Sequence, residues 1–268
     1  MNIWEALSLG IVQGITEFLP VSSSGHLVLL QKIFGITEPA LIFDTALHCG
    51  TLLAVFVVLR NDIWNILRRI FQPLTLYLII ATIPASIAAL LFKHQIENAF
   101  ASGAFLGFAF LATSALLFFS EKLYRLPQGH GGKTANMMNW VDALVIGLLQ
   151  AAAIVPGLSR SGATISAGLS RRLNRDFAAR FSFLLSIPAI LGALVLQTRE
   201  LVKTGSSAGS IGLIPLAAGV ASACIVGFFS IKLTLKIVRE HSLRIFALYT
   251  GLLGLLVLAD KFGTHFFF

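Results

Sequence analysis

Charged side chains are scarce in this 268-residue chain: 12% of its residues are Asp, Glu, Lys or Arg, whereas 56% are hydrophobic. Soluble domains average about 25% charged residues, so the chain cannot cover itself with an ordinary aqueous surface. The composition therefore predicts an integral membrane protein. The formal charge of +8 does not call for a nucleic-acid partner, because basic cytoplasmic loops explain it in a membrane protein.

Cysteine is also rare, since Cys49 and Cys224 are the only two and form no Cys-x-x-Cys pair. Neither cysteine therefore belongs to a pattern that would bind metal or do redox chemistry. We interpret both as buried apolar residues. The N-terminus lacks the basic stretch of a cleavable signal peptide, and we expect it to be retained.

Long apolar runs are what the sequence has in abundance. Six of them are long enough to cross about 30 Å of hydrocarbon as helices. They cover roughly 45–60, 74–92, 104–119, 182–198, 213–231 and 246–262.

Two further apolar stretches, about 4–35 and 141–170, are interrupted by Pro20 and by Pro156-Gly157, each with serines and a glycine close by. Irregular backbone at membrane depth is tolerated only where it is buried in protein or lines a wet cavity. Each stretch therefore predicts a re-entrant helix–loop–helix element.

Basic residues predict the orientation, because Lys and Arg accumulate in cytoplasmic loops. They follow the first and the fifth spans and recur near residue 175. The residues are Arg60, Arg68, Arg69, Arg171, Arg172, Arg175, Arg180, Lys232, Lys236, Arg239 and Arg244. With these inside, both termini lie outside, and the two halves of the chain are inverted relative to each other.

A weak internal echo supports this duplication. Gly10-Ile-Val-Gln13 resembles Gly147-Leu-Leu-Gln150, and each precedes a Pro-x-x-Ser segment. We predict an all-α polytopic membrane protein of about six transmembrane helices, two re-entrant helix–loop–helix elements and an inverted-topology repeat. The single membrane domain, 1–268, has halves 1–120 and 140–268 joined by a loop, 121–139, and inverted repeats place a shared site where the broken helices meet.

The first interrupted stretch carries chemistry. Gln13 and Glu17 share one helix face, and Ser22-Ser23-Ser24-Gly25-His26 follows. An ionised Glu at the bilayer centre costs about 2.5–3.5 kcal/mol, so Glu17 needs a cavity, a cation or a protonating partner. The serines could simply cap a helix, but His26 beside them adds a group that can activate a hydroxyl. His48, His94, His130, His241 and His265 have no comparable sequence context.

The second interrupted stretch adds a fixed cation among hydroxyls: Ser159-Arg160-Ser161-Gly162-Ala163-Thr164. A guanidinium matches phosphate oxygens in geometry and stays charged at any membrane depth. The alternative interpretation of Arg160 is an arginine that snorkels to the interface or sets the topology. Leaving Glu17 and Arg160 unpaired would cost roughly 5–7 kcal/mol together, so we expect them to share one pocket. Arginine, hydroxyls and an acid that could bind Mg²⁺ or Ca²⁺ indicate hydrolysis of a phosphoric ester or anhydride.

At these residues the chain resembles the undecaprenyl-diphosphate phosphatases, also called bacitracin-resistance proteins. Their signatures are a [Glu/Gln]-x-x-x-Glu motif running into Pro-Val-Ser-Ser-[Ser/Thr]-Gly-His, and Pro-Gly-x-Ser-Arg-Ser-x-x-Thr; both are present. The resemblance covers essentially the whole chain. It implies hydrolysis of undecaprenyl diphosphate in the bacterial plasma membrane, at a site open to the outside, with a divalent cation assisting. The product would recycle the lipid carrier for cell-wall synthesis and give bacitracin resistance.

The same resemblance implies roles for individual residues. Glu17 would bind the metal or water, His26 would act as general acid/base, Ser23 as nucleophile and Arg160 as diphosphate clamp. The supporting positions would be Gln13, Ser22, Ser24, Ser159, Ser161 and Thr164. Gln13 stands where a carboxylate can stand in the family, so the number of bound metal ions is left open. Two further questions are also open: whether Ser23 forms a phosphoserine intermediate, and whether the protein is a homodimer.

Two rival functions fit some of the same residues. Acid-phosphatase-like lipid phosphatases share Ser-Gly-His, but their Lys-x6-Arg-Pro and His-x3-Asp segments are absent in the required order. A polyprenyl-phosphate transporter or flippase would suit inverted repeats with broken helices, alone or combined with hydrolysis. A carrier needs charge matching but no nucleophile with a base, so Ser23 and His26 favour the enzyme.

Overall fold

The computed structural model describes residues 1–36, 41–103, 105–124, 132–204 and 212–265. Within these ranges the regular structure is helical, and the only β-type pairing is an isolated bridge between Lys133 and Leu173. The first half contributes α1 (Ile3–Thr16), α2 (Ser23–Ile33), α3 (Leu41–Val58), α4 (Arg60–Arg68), α5 (Pro73–Leu91), α6 (Lys93–Ser102) and α7 (Leu106–Tyr124). The second contributes α8 (Trp140–Ala152), α9 (Arg160–Ser170), α10 (Arg175–Thr204), α11 (Leu213–Glu240) and α12 (Arg244–Ala259).

Five of these helices, α5, α7, α10, α11 and α12, are long and apolar enough to cross a membrane. A sixth span is obtained if α3 is counted together with α4, which turns away from it by 77°. The turn falls at Leu59, where the apolar sequence gives way to Arg60-Asn61-Asp62. The predicted all-α protein with about six spans is therefore confirmed.

The two interrupted stretches each form two short helices. α1 and α2 are separated by residues 17–22, and α8 and α9 by residues 153–159. α1 has 14 residues and α8 has 13, so at 1.5 Å per residue neither reaches across about 30 Å of hydrocarbon. Both are helix–loop–helix elements, as the sequence predicts.

The first helix of each interrupted element, α1 or α8, crosses a long helix of the opposite half at very close range. α1 packs on α11, where a Cβ added to Gly10 would lie 2.3 Å from the carbonyl oxygen of Gly219. α8 packs on α5, where a Cβ on Gly147 would lie 2.6 Å from the carbonyl oxygen of Ala81. The sequence echo thus has a structural counterpart: both glycines permit a close crossing.

Other helix contacts also join the two halves in an equivalent way. α3 packs on α11, α5 packs on α10, and α7 and α12 pack directly on each other. Because both halves have the same order of elements, this is the contact pattern that an inverted repeat requires. The boundaries 1–120 and 140–268 stay a prediction, and 125–131 of the connecting loop lie outside the described residues.

Several basic residues that predict the orientation are engaged in ion pairs. Arg175 donates to the buried Glu121 at 2.6 Å, and Arg171 donates at 2.8 Å to Asp142, which is fully buried. Such pairs fix the ends of the helices in addition to any influence on topology.

Cys49 and Cys224, predicted to be buried, are free thiols that remain partly exposed on α3 and α11. Both helices present part of their surface outward, and a thiol on that surface behaves as a small apolar side chain.

The close crossings can be tested by adding a single methyl group. We expect Gly10→Ala and Gly147→Ala each to lower the free energy of unfolding by about 1–3 kcal/mol, because the new Cβ meets backbone that cannot move aside. Gly192→Ala, in helix α10, is the matched control, since a Cβ there has no neighbour within 4 Å among the described residues. The measurement is thermal unfolding of the detergent-solubilised protein. Equal stability of all three variants would contradict the crossing geometry.

Candidate active site

The N-termini of α2 and α9 meet at the carboxylate of Glu17. Glu17 lies just after α1 in the first break, and it is 5% exposed. Ser23, the first residue of α2, donates its hydroxyl hydrogen to Glu17 Oε2 at 2.5 Å. Arg160, the first residue of α9, donates from Nη2 to Glu17 Oε1 at 2.6 Å. The side chains of the first residues of two helices therefore contact one carboxylate.

The contact between Glu17 and Arg160 joins the two broken elements across 143 residues of sequence. It is the pairing expected from the energetic cost of burying either charge alone. A guanidinium has five N–H donors, so the bond to Glu17 leaves Arg160 donors that can bind phosphate oxygens.

Serine hydroxyls cap both helices that begin at the site. Ser22 accepts from the Gly25 amide at 3.3 Å, and Ser159 accepts from the Gly162 amide at 3.0 Å. Ser22 has a φ of 73°, a conformation that is unfavourable for a residue with a Cβ and that recurs at functional sites. Ser24 lies 3.4 Å from the Ser22 hydroxyl. The capping role expected as the alternative for these serines is present, and it does not exclude a role in binding.

Of the remaining hydroxyls of the second element, Ser161 joins the two breaks and Thr164 joins α9 to α10. Ser161 donates to the carbonyl of Leu19 in the first break at 3.0 Å. Thr164 donates to the Arg160 carbonyl at 2.8 Å and lies 2.6 Å from the Ser182 hydroxyl. Both side chains are almost fully buried. Their predicted contact with substrate stays a prediction.

His48 is a site residue that the sequence did not reveal. It lies on α3, with Nδ1 at 3.3 Å from Glu17 Oε2 and at 2.8 Å from the amide nitrogen of Gln13. The same Gln13 nitrogen donates to Glu17 at 3.0 Å. One turn earlier on α3, Asp44 accepts from Gln31 at 2.7 Å. The only sequence signal was a set of four polar residues, Asp44, Thr45, His48 and Thr51, in an otherwise mostly apolar helix.

His26 has different partners from those its sequence position suggested. Its Nδ1 lies 2.7 Å from the carbonyl oxygen of Ser22, and its Nε2 lies 2.7 Å from the hydroxyl of Tyr249 on α12. The ring stacks on Tyr249 and meets Phe110 edge-on. The base expected for Ser23 is thus not in contact with it here; Glu17 accepts from Ser23 instead. Tyr249 was not foreseen, because nothing in the sequence marks a tyrosine 223 residues away.

A divalent cation was expected at Glu17. Gln13 Oε1, next to that carboxylate, is buried and has no hydrogen-bond partner among the described residues. Carboxylate, amide and hydroxyl oxygens are the ligands that Mg²⁺ and Ca²⁺ prefer, and Mg²⁺ commonly takes one or two carboxylates with waters and substrate phosphates. In the parts of the chain that the structure describes, no three His, Cys, Asp or Glu side chains form a metal-binding group. The residues therefore fit a cation that arrives with a phosphate group and do not form a complete cage.

Comparison with known proteins identifies the family of this chain. The family model described as "Bacitracin resistance protein BacA" matches residues 6–256. A protein of Carboxydothermus hydrogenoformans named "Undecaprenyl-diphosphatase" is 44% identical over 258 residues, which are 96% of this chain and 97% of the relative. A protein of Bacillus cereus named "Undecaprenyl-diphosphatase 4" is 43% identical over 266 residues, which are 99% of this chain and 100% of the relative.

A third relative extends the range of organisms. The "Undecaprenyl-diphosphatase" of Methanosphaera stadtmanae is 40% identical over 280 aligned residues, covering 96% of this chain and 98% of the relative. Both signature segments and most of both broken elements lie inside the matched region. The chain is a multi-pass membrane protein that belongs to the bacitracin resistance protein BacA family.

Proposed function

We propose that this chain hydrolyses undecaprenyl diphosphate to undecaprenyl phosphate and inorganic phosphate. In this role it would act in the bacterial plasma membrane, with its site open to the outside, and return the lipid carrier to peptidoglycan and other cell-wall synthesis. Removal of the diphosphate would also confer bacitracin resistance. The relatives' names support the substrate, and the meeting of Glu17, Ser23 and Arg160 at two helix N-termini is the observation that carries the chemistry.

Phosphoryl transfer depends chiefly on positioning and on compensating the charge of the phosphate oxygens. Arg160 and the first amide groups of α2 and α9 supply that compensation. Glu17 accepts the proton of the attacking hydroxyl, which belongs either to Ser23 or to a water that Ser23 orients. As the new P–O bond forms at the terminal phosphorus, the bridging P–O bond breaks and the lipid monophosphate leaves. If water attacks, inorganic phosphate forms directly; if Ser23 attacks, a water then cleaves the phosphoserine, releasing inorganic phosphate and restoring the Ser23 hydroxyl.

His26 is the general acid/base of this proposal. Its Nε2 can give a proton to the leaving phosphate or take one from water, and imidazole is suited to both at physiological pH. Gln13, Ser22, Ser24, Ser159, Ser161 and Thr164 would orient the diphosphate or hold the loops that bind it.

A Mg²⁺ or Ca²⁺ ion held by Glu17, with Gln13 Oε1 beside it, would add positive charge against the phosphate oxygens. The prenyl chain would lie among the spans, where apolar surface is abundant. A soluble nucleotide such as ATP would gain nothing from that surface, so we expect it not to be hydrolysed.

Transport of a polyprenyl phosphate across the membrane is the second candidate. Two broken helices that meet at one buried charge pair are what a carrier of an anionic lipid would also need. Only hydrolysis requires Ser23 and His26, so substitution of these residues separates the two functions.

Phosphate release from farnesyl or undecaprenyl diphosphate tests the assignment. We expect Glu17→Gln, Ser23→Ala, His26→Ala and Arg160→Ala each to lower kcat/KM about 10²–10⁴-fold, the range for loss of general acid–base or electrostatic catalysis. His94→Ala and Arg239→Ala, on exposed side chains, are the controls and should match wild type. Full activity in all four folded site variants would contradict hydrolysis at this site, whereas no phosphate release by the folded wild type would favour transport.

Divalent-cation dependence is tested with the same assay. Chelation of divalent cations should abolish phosphate release by the wild-type protein, and Mg²⁺ or Ca²⁺ should restore it, because the diphosphate needs positive charge beyond that of Arg160. The control is addition of chelator already saturated with Mg²⁺. Unchanged turnover in excess chelator would exclude the cation from the proposal.

His48 is tested by a pair of variants. His48→Ala removes the group that faces the Gln13 amide, so Gln13 and Glu17 lose a fixed neighbour, and we expect kcat/KM to fall about tenfold. His48→Asn keeps a polar atom near the position of Nδ1 and should retain most of the activity. Equal losses in both variants would mean that the imidazole ring itself is required, and no loss in either would exclude His48 from the site.

A further inference from the structure

Tyr249 carries an inference that goes beyond the residues already assigned. The carbonyl oxygen of Ser22 can only accept, so at 2.7 Å it requires a hydrogen on His26 Nδ1. A neutral imidazole then has its lone pair on Nε2, and the Tyr249 hydroxyl, 2.7 Å away, donates to it. Two bonds from opposite sides therefore select one tautomer of His26.

The ring is held by packing as well. The His26 and Tyr249 rings are nearly parallel, at 11°, with centroids 5.7 Å apart, and Phe110 meets His26 at 80°. Stacking and edge contacts limit rotation of the imidazole about its own bond, and the hydroxyl fixes which direction Nε2 faces.

Tyr249 lies at the membrane-facing side of the site. It is 46% exposed, and its neighbours on α12, namely Ile245, Leu248 and Leu252, are exposed apolar residues. Its hydroxyl is therefore a polar group on a lipid-facing helix, directed at a histidine of the pocket. A lipid diphosphate that enters from the bilayer would pass this point.

The contact between α7 and the second break differs from the contact between His26 and Tyr249, because it involves loop backbone inside the protein. There Thr113, which is buried, accepts from the Ser159 amide at 3.0 Å and donates to the Gly157 carbonyl at 3.2 Å. That contact ties loop backbone to a span inside the protein. The contact between His26 and Tyr249 instead joins two side chains at an exposed edge.

We propose that Tyr249 is a positioning residue that acts through His26: its hydroxyl holds Nε2 toward the lipid-facing edge of the site and gives way to a substrate oxygen when the diphosphate binds. A hydroxyl both donates and accepts, so it pairs with Nε2 before and after that nitrogen takes up a proton. Phenylalanine keeps the stacking but cannot form either bond. This inference rests on the proposed phosphatase function for its effect on turnover, whereas the hydrogen bond itself can be measured independently.

The kinetic test uses Tyr249→Phe in vesicles or detergent with a prenyl diphosphate. We expect kcat to fall about tenfold with KM within about twofold of wild type, because the variant loses orientation of a catalytic group and not substrate binding. Tyr77→Phe, which removes a hydroxyl from a partly buried tyrosine in another cluster, is the matched control and should equal wild type. If Tyr249→Phe also equals wild type while the wild type is active, the proposal is wrong.

A double variant separates positioning from general destabilisation. If Tyr249 acts through His26, adding Tyr249→Phe to His26→Ala lowers kcat no further. A second tenfold loss on that background would show an independent structural effect and overturn the proposal.

Nitrogen-15 NMR of histidine-labelled protein gives a readout that does not need turnover. His26, identified by the signals that disappear in His26→Ala, should show hydrogen on Nδ1 and a hydrogen-bonded lone pair on Nε2. Tyr249→Phe should shift the Nε2 signal of His26 and leave the other histidines unchanged. An unshifted signal would overturn the proposal, whereas a shifted signal with an inactive wild type would refute the phosphatase function alone.

Discussion

The ion pair between Glu17 and Arg160 is the buried charged contact that joins the two interrupted elements of the chain. Glu17 is almost fully buried, and either charge left alone in the membrane interior would be costly. Pairing removes most of that cost only if the two interrupted elements come together. The same contact therefore compensates two buried charges and brings the residues of the site together. A substitution that removes it would affect both the packing of the two elements and the site.

Broken helices explain why the site is suited to an anion. Each break creates a new helix N-terminus inside the protein, and the first amides of that helix have no partner in the helix. Ser22 and Ser159 satisfy one amide each, at Gly25 and Gly162. The N-terminal ends of both helices remain directed at the region of Glu17. The close glycine crossings hold α1 against α11 and α8 against α5, and the breaks that follow α1 and α8 lead into α2 and α9.

The sequence was sufficient to predict the features that depend on local energetics. About six spans follow from apolar length, two re-entrant elements follow from Pro20 and Pro156-Gly157, and the proximity of Glu17 to Arg160 follows from the cost of burying charge. These predictions agree with the structure because each uses a property of a residue and its immediate neighbours.

The hydrogen-bond partners of the site residues could not be predicted in the same way. Ser23 and His26 are three residues apart on α2, yet Ser23 bonds to Glu17 and His26 bonds to Tyr249. Tyr249, the partner of His26, lies on a distant helix, and His48 lies on a different helix from its partner Gln13. Neither contact could be predicted, because the residues near His26 or His48 in the sequence do not indicate its partner.

The charge balance of the site links its composition to its chemistry. Glu17 and Arg160 cancel, and Gln13 adds no charge where a second carboxylate would make the pocket negative. A diphosphate therefore meets no net repulsion from these three side chains, but it also meets no net attraction. Helix N-termini contribute only a partial charge each, about half an elementary charge. A diphosphate carries more negative charge than two such ends can compensate, which is the physical reason for the cation in the proposed function. Gln13 Oε1 is buried and has no hydrogen-bond partner among the described residues, so it has acceptor capacity left for such an ion.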